Sequence, residues 1–249
     1  MFIYKFICRL YSIITYTIEN NFLKRVKASS NKLEIEGLEK LKLKNNNLKL
    51  GESKQEFKAN NYHYRTIYSE IEIFKFLEKL FDENLRNKIK NLTGFNYSID
   101  YFGAYKNFPI ISTQRNKGFY ANHYHFDKPY SKNLLKLFIP LDTINKDDGP
   151  LEIINKKESD LIKKRKINLT SAKKFYFTGD SQDILLCKAN LCFHKAGIPK
   201  DGKYTNLLML QLNPSLNWKI SKDLYKRQFK IEPKFTSISN LISKYKLFK

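Results

Sequence analysis

The chain has 249 residues, 42% of them hydrophobic and 14% aromatic, enough apolar material for a sizeable core and too much for a disordered or fibrous protein. No uninterrupted apolar run reaches the roughly 18 residues of a spanning helix; three cysteines (Cys8, Cys187, Cys192) without CxxC spacing argue against a disulfide framework or a thiolate metal site, so a reducing cytoplasm is expected. The formal charge is +22, yet only seven of the 46 basic residues are Arg and the lysines are scattered among Asn and Ile, which reads as a solvated surface, with no specific nucleic-acid partner and a field that favours anionic small molecules.

In chain order, the first signal is "MFIYKFICRLYSIITYTIENNFLKR". Phe2, Phe6, Leu10, Ile13, Thr17 and Ile18 fall near a helical period, Lys5 and Arg9 interrupt the apolar stretch, and no small-residue cleavage site follows. An amphipathic helix docked on the domain is expected, with a place on a membrane surface as the alternative. Residues 31–55, "NKLEIEGLEKLKLKNNNLKLGESKQ", read as polar turns around alternating Leu. Residues 1–65 are therefore expected to be an N-terminal helix and polar linker packed on the core, and 66–249 the helices and β domain, in one structural unit.

From Thr66 to Leu92, the residues Ile67, Ile71, Phe74, Leu77, Phe81, Leu85 and Ile89 keep helical spacing. Asp82 is placed to cap a second helix and Gly94 to stop it. Beyond Gly94 the texture changes to eight short β-like runs: "FNYSIDYFGAY", "GFYANHYHF", "LLKLFIPLD", "GPLEII", "KFYFTGD", "DILLCK", "LCFHKAG" and "NLLMLQLNPS". Short strands between Gly, Pro, Asn and Asp turns predict a closed or double-sheet architecture. The last stretch, "SISNLISKYKLFK", reads as one more surface helix.

The chemistry concentrates in "YANHYHFDKP", which holds two of the four histidines, His123 and His125, followed by Asp127. On a strand these three side chains share a face. His125 and Asp127 project together toward one point, and His194 in "GDSQDILLCKANLCFHKAG" supplies a second imidazole. Two histidines and a carboxylate form the facial triad of non-haem Fe(II) oxygenases.

With "HFD" (125–127), "LLKLFIPLDTINKDDGPLEII" (134–154) and "GDSQDILLCKANLCFHKAG" (179–197) in this order, the chain resembles the phytanoyl-CoA dioxygenase-like family of Fe(II)/2-oxoglutarate-dependent oxygenases. The resemblance spans residues 100 to 215. It implies a mainly β fold with flanking helices around a double-stranded β-helix (jelly-roll, cupin-like) core. It also implies iron on His125, Asp127 and His194, 2-oxoglutarate as co-substrate, and dioxygen spent on hydroxylating a small or lipid-like metabolite, which the positive surface charge favours as an anion. Asp127 stands where related halogenases have a small residue, which favours hydroxylation.

One position departs from the family. Its usual arginine, about eleven residues after the distal histidine, is replaced by Thr205, and a hydroxyl cannot neutralise a carboxylate. Lys136, amid apolar neighbours, and Lys203, in a glycine turn, are the candidate substitutes, with Lys136 preferred. Tyr204, Thr205 and Asn122 are candidates for hydrogen bonds to the co-substrate. His123 reads as structural or substrate-facing; a three-histidine cupin site is an alternative, although no glutamate follows the HxH. From another functional class, the rival is a catalytically idle basic β-barrel that binds nucleic acid or an acidic membrane surface.

Overall fold

In the computed structural model the described residues are 10, 13, 14, 16–29, 31–43, 50, 53–59, 62–127 and 131–220. The expected helix at residues 1–25 falls partly outside them, and the expected C-terminal helix wholly so. Inside them, a π-helical turn, Glu19–Leu23, buries Glu19 and Leu23. Among the described residues no helix is long and apolar enough to cross a membrane.

The linker is more structured than its sequence suggests. It forms a short helix α1 (Asn31–Glu36) and strand β1 (Leu38–Lys42), then contributes the start of a hairpin, β2 (Ser53–Ala59) and β3 (Tyr62–Tyr68). β3 runs across residue 65, and its last residues take the place of the helix start expected at Thr66. The alternating aromatic and β-branched residues of "YHYRTIY" suit a pleated ladder, and Arg65, Thr66 and Ile67 pair with Asn107, Lys106 and Tyr105. Helices α2 (Glu70–Leu80) and α3 (Glu83–Thr93) follow. Asp82 caps α3 by accepting from Leu85 N at 2.8 Å, and Gly94 ends it with φ 87°.

The remaining strands are β4 (Asn96–Asn107), β5 (Leu135–Pro140), β6 (Leu151–Ile154), β7 (Lys174–Phe177), β8 (Asp183–Cys187), β9 (His194–Lys195), β10 (Thr205–Ser215) and β11 (Lys219–Ile220), with helix α4 (Lys156–Lys163) after β6. They make two sheets. The major sheet runs β1-β8-β5-β10-β4-β3-β2; β11 joins β4 in parallel and every other pair is antiparallel, so the sheet is mixed and is not closed on itself. The minor sheet runs β7-β6-β9.

Period-two alternation gives the major sheet two apolar faces. Leu208, Leu210 and Leu212 pack with Ile99, Phe102 and Leu137 against Leu77, Leu80, Leu85 and Ile89 of α2 and α3. Leu207 and Met209 turn the other way, joining Phe138 and Leu185 against Ile153 and Phe177 of the minor sheet. Each fully buried Leu or Ile contributes roughly 1.5–3 kcal/mol, so both layers are well held. The site lies in the second layer, between the sheets.

Candidate metal centre

Residues 119–127 do not form the regular strand their alternation predicts. Phe119–Ala121 make a short 3-10 turn in which Tyr120 and Ala121 take φ of 37° and 58°, and only His125 bridges to a neighbour. That break in periodicity separates the histidines. His123 is exposed, and its ring is not in the cluster, which removes the three-histidine alternative.

His125 and His194 face each other as an antiparallel pair, His125 N donating to His194 O at 2.9 Å and His194 N to His125 O at 3.0 Å. β9 in turn pairs with β6, so the His125 segment extends the minor sheet by one position. The opposite side of this pairing is aromatic: Phe193 lies 5.5 Å from Tyr124 and 4.7 Å from Phe126. Those contacts fix the segment on both sides of His125, and Asp127 N donates to Ala189 O at 3.2 Å.

The ring chemistry follows from the backbone. His125 Nδ1 lies 2.8 Å from His123 O, and His194 Nδ1 3.0 Å from Cys192 O. A carbonyl only accepts, so both rings carry the proton on Nδ1 and leave the Nε2 lone pair for a ligand. Each Nε2 is 3.9 Å from Asp127 Oδ1. The ligand atoms of His125, Asp127 and His194 lie within 4.8 Å of one another, the one such group among the described residues. Burial pulls the His194 imidazole down to about 4, so it is neutral at neutral pH.

The other carboxylate oxygen is held from the major sheet. Lys136 Nζ is 2.6 Å from Asp127 Oδ2, both side chains being nearly buried. Burial acts to raise the Asp127 carboxyl, but Lys136, then His194, bring it below its ordinary value. The lysine that stood out in an apolar strand thus points inward, and its partner is the carboxylate of the candidate triad. Oδ1 faces the imidazoles while Oδ2 is neutralised, the arrangement a monodentate ligand needs.

Of the other proposed co-substrate residues, none belongs to the His125–Asp127–His194 cluster. Thr205 donates its one hydroxyl proton to the carbonyls of Asp148 and Gly149, so it offers a carboxylate nothing. Tyr204 is partly exposed under the Lys106 ammonium, 3.4 Å from its ring centre. Lys203 is exposed in its turn. Asn122 is buried and ties the loop by donating to Arg115 O at 2.9 Å.

Two residues of this face escaped sequence reasoning. Arg65 pairs across the ladder with Asn107, donates from Nε to Asn107 Oδ1 at 2.8 Å, and stacks its guanidinium 4.4 Å from the Tyr105 ring and 5.3 Å from that of Tyr120. Tyr105 packs into the inter-sheet layer, and two residues before it Gly103 leaves room: an added Cβ would meet nothing closer than 3.8 Å. The second is Gln211, the Cα partner of Lys136 on the adjacent strand and 5% exposed. Its signal was in the sequence: one polar residue inside "NLLMLQLN", the logic that singled out Lys136.

No family model matches the chain, and no curated protein matches it in sequence. Solved structures do. The non-heme alpha ketoglutarate dependent epimerase SnoN from nogalamycin biosynthesis is 9% identical, with 74% of this chain and 80% of that chain covered at a TM-score of 0.52. SnoN with Fe3+, alpha ketoglutarate and nogalamycin RO gives 9%, 74% and 81% at 0.50. The fold is a double-stranded β-helix. EctD from S. alaskensis with bound Fe is also similar, at 12% identity, 77% and 80% coverage and a TM-score of 0.46. At this identity the likeness to SnoN speaks for the fold alone; the site rests on its own geometry.

Proposed function

We propose that this chain is a mononuclear non-haem iron oxygenase that uses 2-oxoglutarate and dioxygen to hydroxylate a small metabolite, lipid-like or anionic. The observation that carries the reading is the convergence of two tautomer-fixed imidazoles and one carboxylate oxygen, held from the irregular His125–Asp127 segment and from strand β9. Bound by such a set, an iron ion would keep open positions for ligands. SnoN, crystallised with Fe3+ and alpha ketoglutarate, shares the fold and supports the same cofactor pair here.

Iron, when bound, supplies the oxidising chemistry. The chain's own residues do the rest: His125, Asp127 and His194 would hold the ion, the carbonyls of His123 and Cys192 orient the rings, and Lys136 fixes Asp127. Between the sheets, Met209, Tyr105 and Phe138 exclude water. A substrate anion is favoured by Arg65, a guanidinium held among the rings of Tyr105 and Tyr120. Within the superfamily we place the chain beside the phytanoyl-CoA dioxygenase-like branch, on the strength of "HFD" and the segment carrying His194, and in a reducing cytoplasm.

The test is anaerobic Fe(II) titration of the wild-type chain and of Asp127→Ala. Wild type is expected to bind one equivalent and the variant to lose at least about a hundredfold in affinity, since even a residue that only orients a ligand is worth about 10–100-fold. Equal binding by both would end the iron reading and leave the idle β-barrel in its place.

A further inference from the structure

Gln211 has a buried amide nitrogen, Nε2, with no hydrogen-bond partner, on a side chain 5% exposed. A buried donor left unmade costs about 1–3 kcal/mol, so this one calls for a partner, water or ligand. Its location is defined by the ladder. Gln211 and Lys136 are directly opposite on β10 and β5, so their side chains leave the sheet on the same face. Lys136 reaches Asp127 on that face, and Gln211 therefore opens onto the same space, one strand spacing, about 4.8 Å, farther from the ligand cluster.

We propose that Gln211 and Lys136 together form the receptor for the distal carboxylate of the oxo-acid co-substrate, doing with two side chains what an arginine does with one. This rests on the iron and 2-oxoglutarate reading above. The ammonium has three donors and spends one on Asp127 Oδ2; the amide supplies a neutral donor beside it. The charges close without another cation: Asp127 cancels Lys136, and a divalent ion cancels a dicarboxylate. A carboxylate at this point also satisfies the Gln211 donor, which an apolar substrate would not. Arg65 is left for the substrate.

The experiment compares 2-oxoglutarate with 2-oxovalerate, which keeps the chelating oxo-acid end and the chain length but lacks the distal carboxylate. Both are titrated anaerobically into Fe(II)-loaded wild type, Gln211→Met, Gln211→Glu and Arg65→Leu, following the charge-transfer absorption of the chelate. Gln211→Met is expected to weaken 2-oxoglutarate about tenfold, one hydrogen bond to a charged group, and to leave 2-oxovalerate unchanged. Gln211→Glu, which sets a like charge against the carboxylate, is expected to lose more, and Arg65→Leu to leave the preference intact. Unchanged Fe(II) affinity in the variants shows that they fold.

The proposal is overturned if Gln211→Met binds 2-oxoglutarate like wild type, if it loses both acids equally, or if Arg65→Leu alone abolishes the preference. Iron binding by wild type with no response to 2-oxoglutarate would overturn it and keep the metal centre. No iron binding by wild type would remove the parent reading as well.

Discussion

At the scale of single residues, Lys136 and Asp127 carry the most consequence, because each is nearly buried and their oxygen-to-nitrogen distance is 2.6 Å. Breaking a buried pair from one side strands a charge, typically at about 3–5 kcal/mol. Lys136→Met is therefore expected to destabilise the metal-free protein by about 3 kcal/mol, and to regain much of that with Mn(II), which replaces the missing positive charge. Urea denaturation with and without the ion reads both arms. A loss that the metal does not recover would mean that Lys136 acts through packing alone.

His194 makes a second residue-scale prediction, this one about pH. Its imidazole stands at about 4 in the folded chain against 6.5 ordinarily, through burial first. Above the unfolded value neither state binds the proton and stability is unaffected. As pH falls from 6.5 toward 4 only the unfolded chain takes it up, so the metal-free fold loses stability, by up to about 3 kcal/mol at 1.36 kcal/mol per unit. Asp127, whose carboxyl is depressed, adds its own loss only at still lower pH. Urea midpoints at pH 7 and 4.5 should converge in His194→Gln relative to wild type; an undiminished pH dependence in that variant would refute the assignment.

At the scale of elements, the turn between α1 and β1 reaches the site without touching it. Gly37 has φ 77°, and an added Cβ would lie 2.4 Å from Cys192 Sγ. Cys192 O is the acceptor that fixes His194 Nδ1. Gly37→Ala is thus expected to cost about 2 kcal/mol in stability, from left-handed strain and from the clash, and to weaken metal binding by shifting Cys192. Adding Cys192→Ala should return the metal affinity but not the part due to φ. A double-mutant cycle on stability and Fe(II) affinity separates the two; additive losses would show that the turn and the histidine are independent.

The same scale shows what the sequence could and could not reveal. Asp82 and Gly94 have local chemistry that forces a boundary, so the α2–α3 pair was legible, as were most strands after residue 94 with their alternating apolar residues. β1 was not, because "LEKLK" is an edge strand whose exposed face carries charges, and without β8 beside it nothing separates it from a polar turn. The segment before His125 misled for the opposite reason: it alternates like a strand, but positive φ at Tyr120 and Ala121, invisible in a chain with no glycine there, turns His123 outward. His125, Asp127 and His194 were readable as a set, and Lys136 stood out in its apolar strand, but its inward direction and its pairing with Asp127 were not legible there. Arg65 was not, since only the pairing of β3 with β4 brings it to the same face.

For the whole molecule, the formal charge of +22 remains to be reconciled with a site that needs only a few cations. The ion pairs among the described residues involve mostly exposed lysines, such as Lys42 with Asp180 and Lys200 with Asp147, each worth little. The excess charge is therefore self-repulsion spread over the surface, acting through solvent across distances comparable with the Debye length. Salt should relieve it: raising NaCl from about 0.05 to 0.5 M, which shortens the screening length from about 14 to 4 Å, is expected to raise the melting temperature by several degrees. The Lys136–Asp127 pair, screened by protein and not by solvent, should contribute nothing to that rise, so Lys136→Met ought to show the same salt increment as wild type. An increment that disappears in Lys136→Met would place the salt effect in the site; a melting temperature that falls with salt would show that exposed ion pairs, not repulsion, dominate the surface of this protein.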